Sequence, residues 1–290
     1  MAVDALDNLF RDAVRALDAG ELTTLEALLT EHPQLACERL EAPGGWLRDK
    51  VGDALGHFFA RPYLLWFVAE DPVRNGALPA NIAAVASTIL RHAQQHCGAS
   101  VHEQLDYALR LVAWSWIARD AGVQIALIDV LVDAGAAFGL TPNDALVNSN
   151  FAAAAHLVER GAPLTLATAL CLERWQDAER LTPSAAARER QFALTLAALK
   201  GKTEAVRHLL GAGGVDVNAV SPDLYSHATP LHHAVSGGSL PTVDLLVAAG
   251  ARLDARDTAY DGTPLDWAKH SGKRSPYAEI ATYLRARGAR

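Results

Sequence analysis

The chain has 290 residues, of which 50% are hydrophobic, 20% charged and only 7% aromatic. That length and apolar content exclude intrinsic disorder, and a net charge of −7 argues against nucleic acid or an anionic membrane as the main partner, since both are held by Lys and Arg. Three cysteines, Cys37, Cys97 and Cys171, stand far apart and odd in number, so no disulfide framework is expected and a reducing, cytoplasmic setting fits.

The first residues through Asp7 carry no apolar h-region, so no signal peptide is expected. The apolar run 63–69 is far short of the ~20 residues of a membrane span. From there to the C-terminus, Gly and Pro break the chain into segments rich in Ala, Leu, Arg and Glu, which favour helix. Ala16, Gly20, Leu28-Leu29 and His32-Pro33 outline a first pair of helices. Residues 50–71 and 80–98 read as helical but follow no clear pattern, and 40–105 as a whole is irregular. Ile125, Ile128, Leu131 and Val132 then form a helical stripe, as do Val206, Leu209 and Leu210. No stretch alternates at strand period, so the class is all-α.

The C-terminal third repeats itself. Thr229-Pro-Leu-His-His-Ala, then Gly238, Val243-Asp-Leu-Leu246 and Gly250-Ala251, is followed 34 residues later by Thr263-Pro-Leu-Asp-Trp-Ala, then Gly272, Ile280, Leu284 and Gly288-Ala289. Each position has a physical role. Thr caps the first helix and Pro fills its first turn, where no N–H partner is needed. Leu and Ala face the neighbouring repeat, and Gly takes the left-handed turn. The same offsets recur at Leu194, Ala197, Gly201 and Leu209-Leu210. They recur more loosely at Ala118, Gly122, Leu131 and Gly135-Ala136, at Ala145, Ser149, Leu157 and Gly161-Ala162, and at Leu166, Ala169, Glu173 and Leu181.

This pattern resembles the ankyrin repeat, whose period is about 33 residues. Residues 121–131 and 143–148 further resemble a widespread bacterial family of ankyrin-repeat proteins with no established biochemical role. The resemblance implies a solenoid of about 7–9 helix-turn-helix repeats. It would form one elongated domain over 1–290, most regular over 189–290, and would bind another protein with its concave groove and hairpin tips.

Catalytic signatures are weak. Gly201-Lys-Thr203 ends like a P-loop, but position 196 is Leu where a Gly is needed. Gly211-Ala-Gly-Gly214 follows a helix rather than a strand, and His102-Glu103 lacks a second His at position 106. His92, His96, Cys97 and His102 make the one metal-like cluster, with His92 and His96 on one helix face and Cys97 and His102 just past its end. An exposed helix end with a buried cysteine explains it without metal, so neither metal nor cofactor is expected. The C-terminal Arg285, Arg287 and Arg290 suit a helix C-terminus.

Trp114 and Trp116, two apart on one helix, point about 200° from each other, so one packs and the other faces the groove. By offset from the repeat Gly, groove positions are Val147, Asn148, Lys200, Ser236 and His270, and loop positions are Tyr225, His227, Tyr260 and Asp261. Trp267 reads as packing or capping. The mixture of aromatic, His and small polar residues suits protein recognition. The expected function is therefore a non-catalytic, monomeric adaptor, inhibitor or immunity-type binder. The alternative is an enzyme or small-molecule or metal binder built on 40–105 with His57, His92, His96 and His102.

Overall fold

The structure is a computed structural model describing residues 3–272 and 275–290. Among the described residues every regular element is a helix. Contacts divide the chain into two compact units, one ending at Pro163 and the other beginning at Leu164. The first holds α1 (Val3–Ala19), α2 (Leu22–Glu31), α3 (Gln34–Cys37), α4 (Gly45–Val51), α5 (Ile82–His96), α6 (Ser100–Trp114), α7 (Trp116–Asp120), α8 (Gln124–Asp133), α9 (Thr141–Val147) and α10 (Phe151–Glu159). The second holds α11 (Leu166–Cys171), α12 (Trp175–Leu181), α13 (Ala187–Leu199), α14 (Thr203–Ala212), α15 (Pro230–Ser236), α16 (Leu240–Ala248), α17 (Pro264–Ser271) and α18 (Tyr277–Ala286).

One backbone device builds the helix pairs in both units. After the first helix a residue turns left-handed, and the next N–H reaches back to the carbonyl of the alanine position. Glu21 donates to Ala16 at 2.8 Å, Val123 to Ala118 at 3.0 Å, Asn150 to Ala145 at 2.8 Å, Arg174 to Ala169 at 2.9 Å, Lys202 to Ala197 at 2.9 Å and Ser239 to Ala234 at 3.3 Å. This is the six-to-one closure that satisfies orphan carbonyls at a helix end. Ser149 (φ 63°) and Glu173 (φ 59°) take the left-handed position where other pairs have Gly, a strained choice for a residue with a side chain. The second helix closes the same way where Ala136, Ala162, Ala251 and Ala289 donate to Leu131, Leu157, Leu246 and Leu284 at 2.9–3.0 Å. These leucines are fully buried. Thr229 and Thr263 each start a helix with a reciprocal capping box followed by Pro.

The irregular region departs from the expected helices. Residues 50–71 contain the end of α4 and two 3-10 turns, Gly52–Gly56 and Leu64–Ala69, with no helix over 57–63. Leu64–Ala69 is wholly buried. Phe59 meets Phe67 edge-on at 5.2 Å between ring centroids, and Trp66 meets Tyr107 at 4.5 Å. Much of the chain's small aromatic content thus packs this region beside the buried Leu64, Leu65 and Ala69. The following loop winds around buried Glu70, whose Oε1 accepts the backbone N–H groups of Arg74 (2.8 Å), Asn75 and Gly76 (2.8 Å).

Three expectations are corrected here. Cys37 and Cys97 form a disulfide across 60 residues, with Cα atoms 5.0 Å apart. The packing of α2 and α3 against α5 brings them together, a tertiary proximity that sequence distance hides. Cys171 alone is free, and it is buried. His102 lies within α6, not just past α5, and is exposed. His92 is buried rather than at an exposed helix end, and its Nε2 lies 3.1 Å from Glu26 Oε1. Finally, Trp114 and Trp116 do not share a helix. Ser115 separates them, ending α6 and capping α7 by accepting from the Ala118 N–H.

Candidate functional site

The loops preceding α15 and α17 hold the densest set of expected site residues. Thr258 N–H donates to the His227 carbonyl at 2.9 Å and joins the two loops. Around that link the His227 ring lies 6.3 Å from Tyr225 and 6.2 Å from Tyr260. Beneath them lie His233 and Trp267, the latter 6.0 Å from His227. Tyr225 is 51% exposed and Tyr260 80%, so two aromatic side chains stand out of a rigid base.

The base is built by residues that sequence reading passed over. Asp257 is buried, and its carboxylate gathers the tip. Oδ1 accepts from the N–H groups of Ala259 (2.9 Å) and Tyr260 (2.7 Å). Oδ2 accepts from Gly262 N–H (3.0 Å) and the Trp267 indole (2.8 Å). Burial alone would raise this carboxyl, but the donors outweigh it and hold it below its usual range. The signal was available in the five-residue spacing from Asp257 to the Gly before Thr263-Pro264. His232 joins the two repeats. Its Nδ1 accepts from Thr229, and its Nε2 donates to the Gly262 carbonyl at 3.1 Å. Those partners assign the neutral tautomer, and burial lowers the pKa in agreement.

Tyr260, Asp266, Trp267 and His270 are among the residues that line a surface cavity of about 550 Å³. Trp267, expected only to pack or cap, is therefore half core and half site. Asp261 lies beside it, exposed and paired with Arg256 at 3.1 Å. Ser236 ends α15, exposed, and its carbonyl accepts from Tyr277 at 3.2 Å. Lys200 stands apart, half-buried at the end of α13 in a second cavity with Trp175 and Lys202. Burial lowers its pKa. Lys202 there pairs with Glu173 at 2.8 Å, and Thr203 opens α14, so the Gly201-Lys-Thr203 triplet is an inter-helix turn. Trp175, exposed at the first position of α12, was also passed over.

In the other unit, Trp114 packs edge-on against Phe58 at 6.1 Å with Arg110 over its ring, while Trp116 is 51% exposed. Val147 ends α9, half-buried, and Asn148 follows it, exposed, its side chain donating to the Asp144 carbonyl at 3.0 Å. Neither these residues nor Lys200 share the cluster of Tyr225, His227, Tyr260 and His270. The histidines of the irregular region do not converge either. His57, His96 and His102 are exposed, and the cavity beside that region, about 200 Å³, is lined by Arg11, Arg15, Trp46, Lys50 and Arg74 among others, with no histidine. Cys97 is committed to Cys37. Among the described residues no group of three or more His, Cys, Asp or Glu side chains is placed to hold a metal ion.

Comparison with known proteins accords with this geometry. Residues 150–257 and 194–290 match the family of ankyrin repeats (3 copies). The bovine cyclin-dependent kinase 4 inhibitor B is 33% identical over 124 residues, 32% of this chain and 89% of that relative. The rat protein of that name is 35% identical over 123 residues, covering 32% and 90%.

The chain belongs to the ankyrin-repeat proteins.

A human relative, cyclin-dependent kinase inhibitor 2A, is 40% identical over 81 residues, 28% of this chain and 47% of its own length. As an ankyrin-repeat protein the chain is a protein-interaction module, and the capped helices and closed turns within residues 150–290 are its repeats. Among the described residues no helix is long and apolar enough to cross a membrane.

Proposed function

We propose that the chain is a non-catalytic binder that restrains one partner protein, as an adaptor, inhibitor or immunity-type protein, through its hairpin tips and adjoining groove. The observation that carries this reading is the pair Tyr225 and Tyr260, 51% and 80% exposed, on a base locked by Asp257 and His232. Large aromatics held rigidly in water contribute nothing to the fold at their tips, yet they are efficient interface anchors. The bulk charge of −7 favours a protein over a nucleic acid.

The relatives are named as inhibitors of cyclin-dependent kinases, which favours a protein kinase as the partner class. The resemblance of 121–131 and 143–148 to a bacterial family leaves the restraining role unchanged. A cytoplasmic location was read from three separate thiols, and the Cys37–Cys97 bond weakens that reading, because such bonds persist in oxidising compartments.

The test places a photo-crosslinking residue at 225, at 260 or, as a control, at the exposed Arg207 of α14 in the full chain within its native cells. One dominant partner captured from 225 and 260 but not from 207 supports the reading, and joint replacement of Trp116, Tyr225 and Tyr260 by Ala abolishes its recovery. Equal capture from all three positions overturns the site. A purified cyclin-dependent kinase that fails to bind removes the kinase reading alone.

A further inference from the structure

We propose that the cavity beneath the second hairpin tip receives a cationic side chain, Arg or Lys, from the partner. The inference rests on the protein-binding reading and adds the chemistry of the residue that enters. Trp267 and Tyr260 give the cavity two aromatic walls, and Asp266 gives it a carboxylate. A cation over an indole face is attracted by the ring quadrupole, and Trp is the strongest such acceptor. Trp267 is set for this role, because its N–H donates to the Asp257 carboxylate at 2.8 Å. That bond fixes the ring and places a negative charge at its edge.

Asp266 is ionised at any ordinary pH, held at about 2 by donors from Thr263 and Lys269. Lys269 reaches only Oδ1, at 3.1 Å, and is half exposed, while Oδ2 is taken by the Thr263 cap. The carboxylate therefore acts on a ligand as a nearby negative charge rather than as a bidentate fork. Across the tip, Asp257, Asp261 and Asp266 face Arg256 and Lys269, and Arg256 is already paired with Asp261. Among the described residues of the tip the remaining sign is negative, as for the whole chain, and a cationic guest complements it. Gly262, His270 and Ser271 complete the lining of the cavity. The volume of about 550 Å³ admits a side chain with its stem, the common way Arg and Lys lay methylenes along apolar walls.

The test titrates the full chain with N-acetyl-arginine amide, N-acetyl-lysine amide and, as the neutral control, N-acetyl-norleucine amide. The readout is the Trp267 indole N–H cross-peak in a proton–nitrogen spectrum, assigned by its loss in Trp267→Phe. We expect saturable shifts with both cations, half-complete on the order of 1–10 mM for ligands this small, and none with norleucine amide. Tyr260→Ala weakens the shift about three- to fivefold, and added salt weakens it further. Tyr260 is so exposed that its loss leaves the melting temperature unchanged, which separates a binding defect from unfolding. No saturable shift at about ten times those concentrations overturns the proposal, as does an equal response to norleucine amide or a Tyr260→Ala variant that binds like the parent. A silent titration beside intact crosslinking at 225 and 260 removes the cationic pocket and leaves the interface. Loss of crosslinking as well removes both.

Discussion

Glu70 and Arg74 form an ion pair at 2.8 Å with both side chains almost fully buried. Arg74 also holds Asp18 at 2.8 Å and the Phe67 carbonyl at 2.8 Å. Glu70 meanwhile is the acceptor for the loop that follows it. The pair thus ties the 3-10 turn Leu64–Ala69 to α1. Breaking one partner of a buried pair leaves the other charged and unsolvated. Arg74→Met should lower the stability of the N-terminal unit by about 3–5 kcal/mol in chemical denaturation. A loss under about 1 kcal/mol would show the pair behaving as a surface contact.

The Cys37–Cys97 bond makes a second prediction. Closing a loop of 60 residues restricts the unfolded chain, and such bonds contribute about 2–4 kcal/mol. Under native, non-reducing conditions no thiol should react with an alkylating probe, since Cys171 is buried and burial pushes its thiol up to about 12. After mild reduction, two thiols should react while Cys171 stays protected, and Cys37→Ser should reproduce the loss of stability. Two reactive thiols without reductant, at Cys37 and Cys97, refute the pairing.

Acid should weaken the C-terminal unit through His233. Burial holds this imidazole neutral and lowers its pKa from 6.5 to about 4, with Nε2 lacking a hydrogen-bond partner. Between those two values the unfolded chain binds more protons than the folded one. The contribution is therefore complete above pH 6.5 and is lost as pH falls toward 4. At pH 5 the loss is about 2 kcal/mol relative to neutral pH. His232, also lowered by burial, adds in the same sense. Asp71 in the other unit runs the opposite way, because burial and then the Glu70 charge raise it to about 6, so acid relieves it. Thermal melts at pH 7 and pH 5 should show a smaller shift for His233→Gln than for the parent. An unchanged shift would assign the acid sensitivity elsewhere.

The repeats were legible because each position of the motif answers a local need: a cap at Thr229, a left-handed turn at Gly238, a small contact at Ala234. Local needs leave local marks, and they remained readable at Ser149 and Glu173, where the turn residue had changed. The region 40–105 was not legible for the opposite reason. Its 3-10 turns are held by a disulfide, by the reach of Arg74 to Asp18 and by aromatic contacts extending to Tyr107, all between residues far apart in sequence, and by a local loop around the Glu70 carboxylate that follows no repeat motif. The candidate site was half legible. Tyr225, His227, Tyr260 and His270 followed from the repeat offsets, but Trp267 was assigned to packing or capping because offset alone does not say that a side chain is wall on one side and core on the other.

The sharpest test of the repeat packing compares two glycines that look alike in sequence. Gly237 follows the last residue of α15, where a Cβ would stand 2.4 Å from the Leu199 carbonyl oxygen and 3.0 Å from its carbon. The obstacle is backbone at the end of α13, which cannot swing away as a side chain can. Gly237→Ala should therefore force neighbouring repeats apart and destabilise the C-terminal unit by about 1–3 kcal/mol. Gly211 lies inside α14 with nothing within 4 Å of its would-be Cβ. There the only effect is the lost backbone freedom of the unfolded chain, so Gly211→Ala should stabilise by about 0.5–1 kcal/mol. Opposite signs in the two denaturation midpoints support close stacking of α15 on α13. Equal signs would mean that the approach at Leu199 is not tight in solution.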